Sequence, residues 1–169
     1  MNRKYRHTVI AANWKMNLLP SKVKAYADEL KPLTAQAKWC DIVVCPPFVM
    51  LPAVIKAFRS SRISTGAQNL SDKESGAFTG EVSASQLADL GVHYVIIGHS
   101  ERRRLYGETD SAVNGKIHAA LRENLRPIVC VGETQKEREA GRTEAVIRGQ
   151  VCGSLAGLSG DQVGRLILA

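Results

Sequence analysis

The chain has 169 residues, 44% of them hydrophobic, which is enough for one globular domain with a buried core. Its net charge of +7 comes from 23 scattered Lys and Arg residues, with one run of three arginines at positions 102–104, and aromatic residues make up 5%. Scattered cations without interleaved aromatics argue against nucleic-acid binding and are typical of a basic surface that can attract phosphate metabolites.

The cysteine spacing and the hydrophobic runs bear on the compartment. The four cysteines form neither a C-x-x-C pair nor a metal-binding spacing with the four histidines, which indicates free thiols in a reducing compartment and no metal site. No apolar run has the length of a signal peptide, and none approaches the ~20 residues of a membrane span. These features predict a cytoplasmic protein that does not bind a membrane.

Short apolar segments along the chain predict parallel β-strands, because they lack the polar alternation of half-exposed strands. They lie at residues 8–12, 41–45, 64–67, 94–97, 126–131 and 165–169. The segments between them predict helices at residues 21–32, 49–58, 83–90, 114–124, 135–140 and 142–150, with a further helix beginning at Ser100. Strand and helix therefore alternate through a single α/β domain, for which a doubly wound open sheet is the generic architecture.

Residues 68–81 show neither helical period nor strand alternation. A structureless connection of this length is uncommon within a compact domain and is usually functional. The composition alone equally allows a mobile surface loop.

His99 follows the strand at 94–97 and Gly98, where Ser100 is a candidate N-cap and Glu101 lies in the first helical turn. The positive field of a helix N-terminus disfavours an imidazolium, so a neutral His99 could donate a hydrogen bond to a developing oxyanion. The alternative for a lone histidine here is a loop-capping role, and for Glu101 a solvated position.

Asn13 and Lys15 follow the first strand and are two residues apart, so in extended backbone they would point to the same side. An amide donor and an ammonium that converge at a strand's C-terminal end suit an anionic substrate. Two solvated polar residues in a loop are the alternative.

Three motifs, at residues 12–17 (ANWKMN), 97–103 (IGHSERR) and 130–134 (CVGET), together resemble triosephosphate isomerase in order and approximate spacing. The resemblance runs over essentially the whole chain and over about two thirds of a typical barrel's length. It implies a (β/α)8 TIM barrel, with functional residues at the C-terminal ends of the strands. Residues 1–169 would then form an incomplete barrel domain holding five βα units and the start of strand six.

The resemblance implies a homodimeric isomerase of glycolysis and gluconeogenesis that interconverts dihydroxyacetone phosphate and glyceraldehyde 3-phosphate through an enediolate, without cofactor or metal. His99 would polarise the carbonyl and move protons between the two oxygens. Lys15 would stabilise the enediolate and phosphate charge, and Asn13 would hold Lys15 and a substrate oxygen. Glu101 would be the partner of Lys15.

Other positions acquire supporting roles from the same resemblance. Cys130 would pack beside the catalytic base, and Glu133 would stabilise the loop after the fifth strand. The loop at residues 68–81 would insert into a partner subunit, where Phe78, Thr79 and Gly80 would approach the partner's active site.

One departure bears on activity: the family's catalytic glutamate motif, its closing lid loop and its last strands do not occur in this sequence. The chain alone is therefore predicted to be inactive. The alternative is a non-catalytic truncated protein with a partial anion site that assembles through open strand edges. A third possibility, an unrelated open-sheet anion-binding protein, is disfavoured because three motifs co-occur.

Overall fold

A computed structural model describes residues 7–169, so the N-terminal end on which the signal-peptide prediction depends lies outside the described residues. The strands are β1 Thr8–Asn13, β2 Cys40–Cys45, β3 Ile63–Ala67, β4 Tyr94–Ile97, β5 Arg126–Val129 and β6 Ile167–Leu168. All pair in parallel, in the order β1-β2-β3-β4-β5-β6. A doubly wound sheet would reverse its order at a switch point. The sequential order therefore confirms the predicted barrel-type α/β fold.

The helices follow the strands along the chain and cover one side of the sheet. They are α1 Val23–Thr34, α2 Leu51–Phe58, α3 Ala84–Leu90, α4 Ser100–Tyr106, α5 Asp110–Arg122, α6 Gln135–Glu139, α7 Thr143–Ser154 and α8 Gly160–Gly164. Short 3-10 turns, Pro20–Lys22 and Phe48–Met50, precede α1 and α2. Within residues 7–169 no helix is both long enough and apolar enough to cross a bilayer.

Apolar side chains fill both faces of the central strands. The largest cluster includes Val95 and Ile97 of β4, which pack with Val113 and Ile117 of α5. A separate cluster, on alternate residues of β2, β4 and β5, contains Cys45, Tyr94, Ile96 and Ile128. Burial on both faces is the pattern that a continuous apolar strand predicts.

The prediction that β1 is buried like the other strands is wrong. Residues 10–12 of β1 are exposed, and Ile10 keeps 49% of its surface accessible. In the described part of the chain β1 pairs with β2 alone, so its other edge is uncovered.

Several helix boundaries also differ from the predictions. Helix α1 continues past Pro32 to Thr34, whose hydroxyl donates to the Leu30 carbonyl and holds the last turn. Helix α5 begins at Asp110 rather than at residue 114, because the Thr109 side chain caps it by accepting the Ala112 N–H. The five-residue α8 was not predicted from the sequence.

Strands β5 and β6 were both predicted longer than they are. Their pairing nevertheless continues beyond the regular ladder, since the Val131 N–H donates to the Ala169 carbonyl at 2.9 Å. The polar residues after β1, β3 and β4 emerge at the same C-terminal rim of the sheet.

A substitution at Gly66 tests how tightly this sheet is packed. An added Cβ would lie 2.6 Å from Cys45 Sγ and 3.2 Å from Tyr94 Cβ. We expect Gly66→Ala to lower the free energy of unfolding by about 1–3 kcal/mol, measured by urea denaturation. Gly149→Ala is the control, because a Cβ added at this exposed α7 position would meet no atom within 4 Å apart from its own helix backbone, and it should raise stability by about 0.4–1 kcal/mol. Equal effects of the two substitutions would contradict the prediction.

Candidate active site

A cleft opens at the C-terminal ends of β1, β3 and β4. The predicted residues Asn13, Lys15, His99 and Glu101 all line it. The remaining lining residues are Met16, Pro47, Phe48, Gln68, Asn69, Arg102 and Tyr106. The fold therefore brings together side chains that lie up to 93 positions apart in the sequence (13 to 106).

Lys15 does not occupy extended backbone, so the prediction that it shares one strand face with Asn13 is wrong. Its φ is +52°, in the left-handed region, in the turn after β1. Asn13 Oδ1 accepts the Lys15 N–H at 2.9 Å. Gln68 Nε2 donates to the carbonyls of Lys15 and Cys45, at 2.9 and 2.8 Å. A non-glycine residue holds such a conformation only where its surroundings impose it, and these hydrogen bonds do so.

The Lys15 ammonium is paired at the cleft surface. Its Nζ lies 2.9 Å from Glu101 Oε1. The hydrogen bond from Lys15 holds the pKa of the Glu101 carboxyl below its ordinary value, so the carboxylate is ionised near neutral pH. An ammonium carries three N–H donors, which leaves two beyond this pair for an anion in the cleft.

His99, rather than the predicted Ser100, caps α4; Ser100 is the first residue of the helix. The ring's Nδ1 accepts the Glu101 backbone N–H at 3.3 Å, as the oxygen of a conventional cap residue would. A nitrogen that accepts a hydrogen bond carries a lone pair, so the ring proton lies on Nε2. The Glu101 carboxylate, 3.4 Å from the same Nδ1, would pair with it only if Nδ1 carried a proton.

A buried ionic cluster behind the cleft was not foreseen from the sequence. The Glu108 carboxylate, 7% exposed, accepts from Arg102 Nε and Lys116 Nζ, and Lys116 Nζ also donates to Asn69 Oδ1 at 2.8 Å. Burial alone raises the pKa of Glu108, but the hydrogen bonds from Lys116 and Arg102 outweigh it and hold the pKa below its ordinary value. The cluster therefore fixes two lining residues, Asn69 and Arg102.

No sequence signal pointed to this cluster or to Gln68. In the cluster, Glu108 lies on a loop and Arg102 and Lys116 lie on two helices, at spacings that follow no local motif.

A family model described as triosephosphate isomerase matches residues 8–169. The chain belongs to the triosephosphate isomerase family. It is 51% identical over 164 residues to triosephosphate isomerase of Clostridium botulinum (strain ATCC 19397 / Type A), covering 97% of this chain and 66% of that protein. The corresponding protein of Symbiobacterium thermophilum is 48% identical over 164 residues, with 97% and 64% covered.

The crystal structure of triosephosphate isomerase from Bartonella henselae superposes with a TM-score of 0.85 at 33% identity, covering 96% of this chain and 67% of that one. This agreement confirms a partial TIM barrel. The chain thus spans just under two thirds of the length of the curated triosephosphate isomerases that it matches.

Cys130 and Glu133, for which the likeness to triosephosphate isomerase implied supporting roles, lie outside the cleft lining. Cys130 is half-buried against the cluster that contains Cys45, and burial raises the pKa of its thiol, as expected of an unreactive cysteine. Glu133 Oε1 accepts from Arg138 Nε at 2.8 Å and from Thr143 Oγ1 at 3.2 Å. These contacts tie the loop after β5 to α6 and α7, and the role of Glu133 in stabilising this loop stays a prediction.

The loop at residues 68–81 contains neither helix nor strand, as predicted. Its first part is anchored, with Leu70 buried and the Ser71 N–H donating to the Val82 carbonyl. Residues 72–81 are exposed, and Phe78, Thr79 and Gly80 do not line the cleft of their own chain. Among residues 7–169, no group of three or more His, Cys, Asp or Glu side chains is arranged to hold a metal ion.

The Lys15–Glu101 pair yields a pH prediction. The pKa of Glu101 is lowered in the folded state, so the ionised Glu101 stabilises the fold at pH values above the ordinary glutamate pKa of about 4.3. This stabilisation is lost as the pH falls through the lowered pKa. We expect Lys15→Met to raise the Glu101 pKa in a carboxyl carbon-13 NMR titration.

Lys24→Met is the matched control, since Lys24 pairs with Asp28 at 2.6 Å on α1 and lowers the pKa of that carboxyl. Lys24→Met should raise the pKa of Asp28 and leave the pKa of Glu101 unchanged. A Glu101 titration that does not respond to Lys15→Met would show that another group holds the pKa down.

Proposed function

We propose that this chain contributes the electrophilic half of a triosephosphate isomerase active site, for interconversion of dihydroxyacetone phosphate and glyceraldehyde 3-phosphate through an enediolate. One observation carries the proposal: Asn13, Lys15 and His99 line the same cleft, and His99 Nδ1 accepts the Glu101 N–H, which leaves the proton of a neutral ring on Nε2. This arrangement directs the neutral imidazole's only N–H donor away from the helix backbone and leaves it free for a substrate oxygen.

The chemistry follows from where charge develops. When a base removes the proton next to the carbonyl, negative charge moves to the carbonyl oxygen, and a neutral N–H donor stabilises it there. The Lys15 ammonium adds electrostatic stabilisation and attracts the phosphate. Asn13 Oδ1 is occupied by the Lys15 N–H, so its amide Nδ2–H donors remain for a substrate oxygen. No step in this scheme requires a cofactor or a metal.

The general base is the missing component. Glu101 is the one carboxylate among the residues that line the described cleft, and its lowered pKa and its pairing with Lys15 make it a poor proton acceptor. We therefore propose that a polypeptide of residues 1–169 is inactive alone. Loss of a general base typically costs about 10²–10⁴-fold in rate.

A complementation assay tests both statements. Isomerase activity is measured for residues 1–169 alone and after addition of a peptide that spans the remaining third of the family's length. We expect no turnover from the chain alone, and turnover from the mixture that is lost with Lys15→Met. Turnover by the chain alone, or a folded mixture that stays inactive, would refute the proposal.

The alternative, a non-catalytic protein that assembles through strand edges, is favoured by the exposure of Ile10 on β1 and Leu168 on β6, each 49% accessible. In the same assay it predicts a self-associated chain that does not bind the added peptide. The four cysteines are all free, in keeping with the cytoplasm as its compartment.

Dimerisation through the loop at residues 68–81 is part of the proposal. Its support is apolar surface that the single chain leaves exposed: Phe78 in this loop at 45%, Met16 at 96% and Tyr106 at 69% in the cleft lining, and Val49 at 72% beside the lining residue Phe48. Large exposed apolar groups of this kind mark interaction surfaces.

We expect Phe78→Asp to shift the chain to monomers in analytical ultracentrifugation, because a charge at the loop tip opposes burial against a second copy. Leu33→Asp is the control, since Leu33 is 82% exposed on α1, outside the loop and the cleft lining. Monomers at all concentrations before substitution, or equal effects of both changes, would contradict the loop-mediated dimer.

A further inference from the structure

The Arg103 side chain lies behind His99 and makes four hydrogen bonds that the scheme above does not use. Its Nε donates to the Gly98 carbonyl at 2.9 Å, and one terminal nitrogen donates to Asp110 Oδ1 at 2.6 Å. The other terminal nitrogen lies 3.5 Å from both the Cys130 carbonyl and Ser154 Oγ. One guanidinium, 16% exposed, thus joins the ends of β4 and β5 to helices α5 and α7.

The bond to Gly98 matters most for the site. The Gly98 carbonyl belongs to the same rigid peptide plane as the His99 nitrogen, so holding that oxygen sets the orientation of the backbone on which the imidazole stands. Gly98 has a φ of +70°, and a Cβ there would lie 3.2 Å from the Arg103 guanidinium. The guanidinium therefore packs directly against this peptide, in space that only glycine leaves open.

The other end of the link is equally well anchored. Asp110 is the first residue of α5, where a carboxylate is favoured by the helix dipole, and it also accepts from the fully buried Ser154 at 3.4 Å. Gly153 lets α7 approach this point, since a Cβ there would lie 2.8 Å from the Asp110 Cβ. The guanidinium is thus held by packed helices rather than by a loop.

We propose that Arg103 is a positioning residue for His99: through the Gly98 carbonyl it keeps the imidazole in the capping orientation, with Nδ1 accepting and Nε2–H directed to the cleft. The inference deepens the proposed function, on which its relevance to catalysis rests. Charge alone is insufficient for this role, because the four acceptors match the forked donors of arginine and not the single ammonium of lysine.

The test measures the protonation of the His99 imidazole ring directly. Proton–nitrogen-15 NMR correlations of the imidazole show which ring nitrogen carries the proton. The unmodified chain should show His99 as the Nε2–H form. We expect Arg103→Met to lose this pattern or mix it with the Nδ1–H form, while His7, His93 and His118 keep theirs. Arg103→Lys should show the same loss, and full rescue by lysine would overturn the geometric argument.

Arg148→Met is the matched control, since Arg148 pairs with Glu144 on the exposed face of α7 and should leave His99 unchanged. If Arg103→Met does not fold, Asp110→Asn and Ser154→Ala each weaken one hydrogen bond of the Arg103 guanidinium, and the same imidazole NMR correlations are measured on these variants. A His99 that stays in the Nε2–H form in every folded variant, while only thermal stability falls, would refute the positioning role. The measurement needs no substrate, so its failure and a failed complementation assay are separate results.

Discussion

Parallel pairing of the strands in chain order places every C-terminal strand end at one rim of the sheet, and the cleft depends on this constraint. Asn13 lies at the end of β1 and pairs in register with Cys45 at the end of β2. Gln68 and His99 follow β3 and β4 at the same rim. Gln68 then joins two of these strand ends by donating to the carbonyls of Lys15 and Cys45. A shift of one residue in this register would turn each of these side chains to the other face of the sheet.

Charge at the rim is balanced so that a net cationic cleft remains. The carboxylates of Glu101 and Glu108 are both held ionised by cations, the first by Lys15 and the second by Lys116 and Arg102. Three cations against two carboxylates leave one positive charge in excess. The excess charge belongs to the Glu108 cluster, because Lys15 and Glu101 neutralise each other, and the paired groups hold the wall behind Lys15 in place.

Two residues in the site owe their conformation to side-chain hydrogen bonds from their surroundings. Lys15 keeps a left-handed backbone because Asn13 and Gln68 bind its N–H and carbonyl. The Gly98 peptide before His99 is held by Arg103, which is itself fixed by Asp110 and Ser154. The supporting residue of Lys15 outside the family motifs is Gln68. The supporting residue of His99 is Arg103, which has no chemical role of its own in the proposed scheme. Such support is what preorganised electrostatic stabilisation requires.

Local chemistry explains which features could be read from the sequence. Apolar runs predicted all six strands and their parallel pairing, because a strand buried on both faces needs continuous apolar residues; this reason holds for the central strands and not for the exposed β1. The motifs identified Asn13, Lys15 and His99, and the structure brings these three together. Their geometry was not predicted: His99 replaced Ser100 as the cap by accepting the Glu101 N–H, and Lys15 left the extended conformation in a turn held by Asn13 and by the distant Gln68.

The amino-acid sequence by itself determined the α/β alternation, the family and the identity of the three cleft residues, since each depends on residue type and spacing along the chain. Only the tertiary structure decided the exposure of β1, the buried Glu108–Lys116–Arg102 cluster and the Arg103 link to Gly98. The cluster and the Arg103 link join residues only five to eight positions apart, but whether those side chains meet and are buried depends on how the helices and strand ends pack, which no local pattern encodes.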